Sequence, residues 1–444
     1  MTEPIINVGI VKREKLYFDF YGDFFIENSE QIFSGKYSAF IEGDSIIIEG
    51  ETQRVKVERE IVFEPSNFTT ESFLLRNVVI GVDFHWEQKE NQRFLGNLKL
   101  IKKGNELIAI NIISIESYLT SVISSEMSSK CSINLLKAQS IISRSWLLAQ
   151  LEKNKSREKY KTEFEDENEL IKWYDRENHV DFDVCADDHC QRYQGITKIH
   201  NENVKQAIEE TSGIVLSYNN KVCDSRYFKC CGGITETFEN VWEPVIHPYL
   251  SSVIDYKFGV ENYDTDFSEE VNVRDWILSN PPSFCNTNDE KILSQILPNL
   301  DQKTKNFYRW KVEYTQHELS ELIKEKSKID FGEIIDLVPI ERGYSARIVK
   351  LRIVGTNRIF TIGKELEIRR VLSKSHLYSS AFIVDKEKPV NGIPQRFIIH
   401  GAGWGHGVGM CQIGAAVMGE MGYQFDEILL HYFPGANLKK LYSE

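Results

Sequence analysis

Apolar positions in the first hundred residues recur at every second place in short runs. YSAFIEGDSIIIEGE, RVKVEREIVFEP and FLGNLKLIKKGNELIAINII show this alternation, and Gly and Asn punctuate it. A period of two with turn residues between runs predicts β-strands. Residues 1–104 therefore read as a β-rich region whose opening, INVGIV, starts a strand. The period changes in SIESYLTSVISSEMSSKCSINLLKAQSIISRSWLLAQ, residues 114–150. Here Leu135, Ala138, Ile142, Trp146 and Ala149 fall on one helical face, and Ser132 stands where an N-cap belongs. The stretch predicts two helices, the first over about 115–123, separated by SSEMSSK. Glu126 is the acid in that break, whereas Glu116 reads as part of a solvated helix face. A carboxyl beside buried apolar faces is open to desolvation, which raises its pKa and suits it to donate a proton. The plainer reading of Glu126 is a solvated loop glutamate.

Beyond the helical pair, residues 151–178 are dense in charge and read as a solvated, partly helical excursion. Residues 201–213 suit a helix ending at Gly213, and 214–228 suit a hairpin turning at Asn219-Asn220. The acidic segment 260–340 predicts helices at DWILS, DEKILSQIL and HELSELIKEK, and reads as an accessory lobe or insertion. Strands return in SARIVKLRIVG and NRIFTIG, followed by the helix GKELEIRRVL. The pattern gives an α+β class: a helical pair with β-rich lobes flanking a groove. It divides into 1–104, 105–259, 260–340 and 341–444.

The net charge of −13 over 444 residues argues against nucleic acid or an anionic membrane surface, which want a basic patch. A neutral or sugar-like substrate is compatible with it. No apolar run approaches the length of a transmembrane helix, and MTEPIINVGIVKREK lacks the apolar core of a signal peptide. The expectation is therefore a chain with no transmembrane segment and no leader. Eight cysteines in a chain of this size predict mostly free thiols.

Two further motifs carry chemistry. In GAGWGHGVGMCQIG, residues 401–414, glycine alternates strictly from Gly401 to Gly409. That strips the side chains from one face, so that backbone or ligand can approach closely. The spacing fits neither GxGxxG nor a P-loop, which excludes those nucleotide readings. His406, between two glycines, either meets a substrate hydroxyl or a glutamate, or buttresses a tight turn. His179, Cys185 and Cys190 are spaced H-x5-C-x4-C, with His189 beside Cys190. Such N and S donors at short separation suit tetrahedral zinc. The alternative is an ordinary loop, and a part for His189 stays open.

Together these residues resemble the SpoIID/LytB family, the amidase-enhancer and peptidoglycan lytic transglycosylase domain named for stage II sporulation protein D. The matching residues are Ser125-Glu126-Met127, Lys137-Ala138-Gln139, Arg144, the run Gly405 to Met410, Gln412 and Gly414. The ending GYQFDEILLHYFPGANLKKLY matches as well. The resemblance covers 105–258 and 335–444, is weak over the first hundred residues, and hardly reaches 260–335.

The resemblance implies a glycan-binding groove and cleavage of MurNAc–GlcNAc strands, stripped of stem peptides, to 1,6-anhydro-MurNAc ends. Glu126 would serve first as acid and then as base. It implies a structural zinc on His179, Cys185 and Cys190, as in some clostridial members, and no organic cofactor. Gln139, Arg144, Tyr193, Tyr227, His406 and Gln412 are the candidate substrate contacts, with Tyr227, Arg144 and Gln139 ranked above Trp242 and Trp404 because they fall inside matched motifs. Glycan strands and a cell-wall amidase are the implied partners, at the cell wall or periplasm. The family also holds amidase enhancers that bind without cutting, and a zinc hydrolase is a further alternative. Two departures favour the enhancer: Cys411 replaces the common serine, and Cys230-Cys231 precede the Gly-Gly pair.

Overall fold

The alternating N-terminal runs pair into one sheet. The structure, a computed structural model, describes residues 2–27, 29–80, 88–128, 130–155, 162–174, 179–187, 189–198, 202–296 and 306–442. It confirms the α+β class and divides into two compact units. The first holds residues 1–129, 176–214 and 440–444; the second holds 130–175 and 215–439.

In the first unit, Ile5–Arg13 pairs antiparallel with Glu106–Ser114, and the sheet continues through Asn97–Lys103, Glu60–Pro65, Lys15–Ile26, Ile32–Glu42, Ser45–Gly50 and Arg54–Val57. Phe18, Phe20, Phe24, Phe33, Phe63, Phe73 and Phe94 fill its buried face. Their rings lie edge-on or stacked on one another, as in Phe20 on Phe24 at 4.3 Å. At the edge, Val184–Cys185 pairs parallel with Val8 and Gly9. Gly9 is required there, because a Cβ would lie 2.6 Å from the Phe182 ring.

The strand Glu106–Ser114 runs directly into helix α1, Ile115–Glu126. The helix is three residues longer than its apolar pattern predicts, so Glu126 is its last residue rather than part of the break. Helix α3, Glu202–Glu210, packs on α1, and Gly213 follows in the left-handed region at φ +69°. Glu116 does not sit on a solvated face. It is 8% exposed, and it accepts from the Gly213 amide at 3.1 Å and the Tyr442 hydroxyl at 2.7 Å. The apolar pattern missed this because both partners come from distant sequence.

In the second unit, helix α2 spans Ile133–Lys155, and the Ser132 hydroxyl accepts from Leu135 N at 3.3 Å, as an N-cap does. Its burial extends beyond the apolar stripe to Ser140, Ser143, Arg144 and Ser145. The charged excursion is helical at 151–155, where it ends α2, and then contributes two strands, Glu163–Glu165 and Glu169–Lys172; its residues 156–161 and 175–178 lie outside the described residues. These strands join Ile359–Gly363, Ile348–Gly355 and Ile334–Arg342 in one sheet. A second sheet holds Arg309–Thr315, Arg396–Ala402 and Phe382–Glu387. The hairpin turns at Asn219 and Asn220, both left-handed. The segment read as an accessory lobe thus gives two strands to sheets completed by residues 348–402. Trp310, Leu319, Ile323 and Ile334 share one core with Ile348, Phe382 and Phe397.

Glu116→Ala should cost about 1–3 kcal/mol, the penalty for orphaning buried hydrogen-bond donors. Denaturant unfolding checks this, and unchanged stability would mean that the Glu116 contacts contribute nothing.

Candidate functional site

In the first unit, chemistry gathers where the loop 179–195 meets the end of α1. Glu126 is half-buried, and its Oε1 accepts from the Arg192 amide at 3.3 Å. The same loop is strapped to α1 three more times. The Tyr118 hydroxyl lies 3.3 Å from Gln191 Oε1, Gln194 N donates to Ser121 Oγ, and that hydroxyl donates to the Gly195 carbonyl at 2.8 Å. The Tyr193 hydroxyl donates to Asn111 Oδ1 at 2.6 Å, and its ring stacks on Tyr118.

Upstream in that loop, His179, Cys185, His189 and Cys190 bring four ligand atoms within 4.8 Å of one another. Cys190 Sγ lies 3.4 Å from His179 Nε2 and 3.7 Å from His189 Nδ1; Cys185 Sγ lies 3.8 Å from His189 Nδ1. Hydrogen bonding from Cys190, and after it from His179 and His189, holds the Cys185 thiol well below its ordinary range. The donor set and spacing fit a tetrahedral divalent ion, with His189 as a fourth ligand. A cleft lined by Ile10, Val79, Gln92, Ala186, Arg192 and Gln194 adjoins this loop.

In the second unit, the glycine strip is met by the protein's own chain. Strand Tyr227–Phe228 pairs with Met410–Cys411, and Cys230 and Trp404 exchange both backbone hydrogen bonds. A Cβ on Gly409 would fall 2.2 Å from the Arg226 carbonyl, and one on Gly403 2.7 Å from the Cys230 carbonyl. Both glycines hold positive φ, so any side chain there meets backbone strain as well as a clash. His406 Nδ1 accepts from Val408 N at 3.1 Å, which leaves Nε2 to donate to the Tyr227 carbonyl at 3.1 Å. Both ring nitrogens are thus engaged in turn geometry. The ring packs edge-on to Trp242 at 4.8 Å, and burial drives its pKa well below the usual range, so the imidazole is neutral.

A buried polar network holds the strip, and sequence reading missed it. Arg347, 1% exposed, donates to the carbonyls of Gly405 and Cys231 and to Ser345 Oγ. The Ser345 hydroxyl donates to Glu236 at 2.5 Å. Glu236, also 1% exposed, accepts further from Thr237 N, Tyr344 N and Asn240 Nδ2. Glu236 and Arg347 stand more than a hundred residues apart, and Arg347 is a polar position within the strand run SARIVKLRIVG, so no local signal pairs them.

Of the predicted substrate contacts, Gln139 and Gln412 come together, with Gln412 Nε2 3.4 Å from Gln139 Oε1. Both are interior, as are Arg144 and Tyr193, at 0–1% exposure. Tyr227 is half-buried beside His406. Trp404 stacks on Phe307 at 4.8 Å.

Residues 103–218 match the family model described as stage II sporulation protein, SpoIID. Residues 236–409 match a domain of unknown function, DUF8618, which takes in the segment 260–335 that the motifs leave uncovered. The chain is similar to an uncharacterised protein of Brachyspira hyodysenteriae, 27% identical over 345 residues, covering 78% of this chain and 72% of that protein. It is similar to the amidase enhancer of Bacillus subtilis, 24% identical over 249 residues, which is 54% of this chain but 33% of that protein. It is also similar to stage II sporulation protein D of Bacillus amyloliquefaciens, 24% identical over 332 residues, covering 75% and 76% of the two chains. These matches support assignment of the chain to the SpoIID/LytB family.

Burial lowers the pKa of His376 to about 4, as it lowers that of His406. The unfolded chain takes up these protons near 6.5 and the folded chain does not, so stability present above pH 6.5 falls between pH 6.5 and 4. Melting temperature against pH should therefore slope downward toward acid, and His376→Leu should flatten that slope. An unchanged slope in the variant would remove His376 from the account.

Proposed function

We propose that this protein has a cell-wall-related role as a lytic transglycosylase that cleaves MurNAc–GlcNAc strands denuded of stem peptides. The observation that carries the reading is Glu126, placed at the end of α1 and steadied by the Arg192 amide. It stands within the SpoIID match, and relatives are named for sporulation and for amidase enhancement. The Arg192 amide supports the carboxylate once the proton has left.

Glu126 donates its proton to the glycosidic oxygen as the bond from C1 to that oxygen breaks. It then takes the proton of the MurNAc C6 hydroxyl as that oxygen bonds C1 and closes the 1,6-anhydro ring. No water is consumed, so one carboxyl serves both steps, unlike the paired carboxyls of a hydrolase. His179, Cys185, Cys190 and His189 would hold a zinc ion that pins the loop. The loop residues Gln191, Arg192 and Gln194 then fix Glu126 and α1. Of the residues that the resemblance implies as glycan contacts, Tyr227 and His406 are half-buried, whereas Gln139, Arg144, Tyr193 and Gln412 are interior and serve packing.

The second reading is an amidase enhancer that binds glycan and stimulates a wall amidase. The similarity to the Bacillus subtilis amidase enhancer favours it, as does a thiol at Cys411. Among the described residues no helix is long and apolar enough to cross a bilayer.

Digestion of amidase-treated peptidoglycan followed by mass spectrometry should yield 1,6-anhydro ends. Glu126→Gln should lower their formation by roughly 100- to 10,000-fold, the usual contribution of a general acid–base group. If wild type binds glycan and produces no such ends, the enhancer reading stands. Cys185→Ser/Cys190→Ser should lose zinc from the first unit and weaken activity; full zinc retention would exclude these ligands.

A further inference from the structure

The second unit contains a cluster that neither the transglycosylase nor the enhancer reading uses. Cys231, Asp255, Cys285 and Cys411 place four ligand atoms within 4.8 Å of one another. All four residues are interior, at 0–2% exposure. They come from four separate segments: the turn after Tyr227–Phe228, the chain following Ile254, the loop before residue 286, and the end of the glycine strip.

We propose that Cys231, Asp255, Cys285 and Cys411 form a buried four-ligand zinc site, distinct from the His179 cluster, that ties the Cys-Gly-Gly turn to the glycine strip.

The geometry supports a metal centre in several ways. Cys231 Sγ lies 3.3 Å from Cys285 Sγ and 3.2 Å from Asp255 Oδ2. A tetrahedral zinc with bonds to sulfur of about 2.3 Å spaces its sulfurs about 3.8 Å apart, so loading needs an outward shift of a few tenths of an ångström. The sulfurs also receive donors. Cys231 N–H points at Cys411 Sγ at 3.2 Å, Gly233 N–H at Cys231 Sγ at 3.3 Å, and Ser283 Oγ lies 3.1 Å from Cys285 Sγ. Amide donors aimed at sulfur are what thiolate ligands require of their surroundings.

Asp255 is oriented in the same manner. Its Oδ1 accepts from the Tyr432 hydroxyl at 2.5 Å, and its Oδ2 accepts from Ser283 Oγ at 2.9 Å and Cys285 N at 3.0 Å. Among the described residues its ionic neighbour is His431, at 3.9 Å. Asp255 is wholly interior, and its Oδ2 faces the Cys231 sulfur at 3.2 Å, the position of an oxygen ligand. Gly414 lets the Tyr432–Asp255 pair pack closely, since a Cβ there would fall 2.3 Å from the Tyr432 hydroxyl and 2.6 Å from Asp255 Oδ1.

Three sulfurs and an oxygen complete a tetrahedron and leave no position for substrate, which makes this a structural site. The adjacent Cys230 lies outside the group of four ligand atoms. Its thiol nonetheless hydrogen-bonds those of Cys285 and Cys411, while its backbone pairs with Trp404.

The test uses the full chain purified under reducing, oxygen-free conditions, with Cys185→Ser/Cys190→Ser as the background that empties the first-unit cluster. Elemental analysis should find about one zinc per folded chain in that background. X-ray absorption at the zinc edge should show three sulfur ligands and one oxygen. Adding Cys285→Ser, or the milder Asp255→Asn, should abolish zinc retention on dialysis, and cobalt substitution should lose its thiolate charge-transfer band. Circular dichroism establishes that each variant is folded. A folded background chain without zinc overturns the proposal, and so does zinc retained by both added variants. Peptide mapping that recovers a Cys231–Cys285 disulfide from freshly isolated protein also overturns it.

Discussion

The close packing of chain 226–233 against the glycine strip 403–411 is the constraint on which the second unit depends. Backbone approaches backbone at distances that exclude any Cβ at Gly403 and Gly409. That packing fixes His406 between Tyr227 and Val408. It also delivers Cys411 to the Cys-Gly-Gly turn. Arg347 and Glu236 enforce it from beneath with charge-assisted hydrogen bonds in an interior where unmade bonds are expensive. The alternation that reads as an open face in sequence is filled by the protein itself.

The first unit follows a different logic. Its aromatic sheet core is a rigid edge, and Val184–Cys185 joins that edge in parallel register at Val8 and Gly9. The register sets where Cys185 stands, and the following residues descend onto α1 through Gln191, Arg192 and Gln194. A metal on the four loop donors would therefore act on Glu126 through geometry rather than through direct chemistry. That separates a positioning ion from a reacting carboxyl, which the single-acid mechanism allows.

Much of this was legible in sequence where signals are local. The period-two runs, the α2 stripe with its Ser132 cap, the Asn219-Asn220 turn and the strands about 348–363 all follow from spacing and turn chemistry. That His179, Cys185 and Cys190 come together was legible because the three lie within one short loop. What escaped was long-range. Glu116 looks solvated until Gly213 and Tyr442 arrive, and Glu236 meets Ser345 only in the fold. Residues 163–172 carry the charge of a solvated helix, yet Ile359–Gly363 recruits Glu169–Lys172 as a strand. Polar residues on α2, among them Gln139 and Arg144, read as presentable to ligand, but tertiary packing encloses them.

In the proposed mechanism one carboxyl, Glu126, breaks glycan without consuming water. Cleavage of amidase-treated peptidoglycan in heavy-oxygen water tests it directly. New glycan ends should carry the 1,6-anhydro ring and no solvent oxygen. Heavy oxygen at the new reducing ends would mean hydrolysis by a second activating group and would contradict the account.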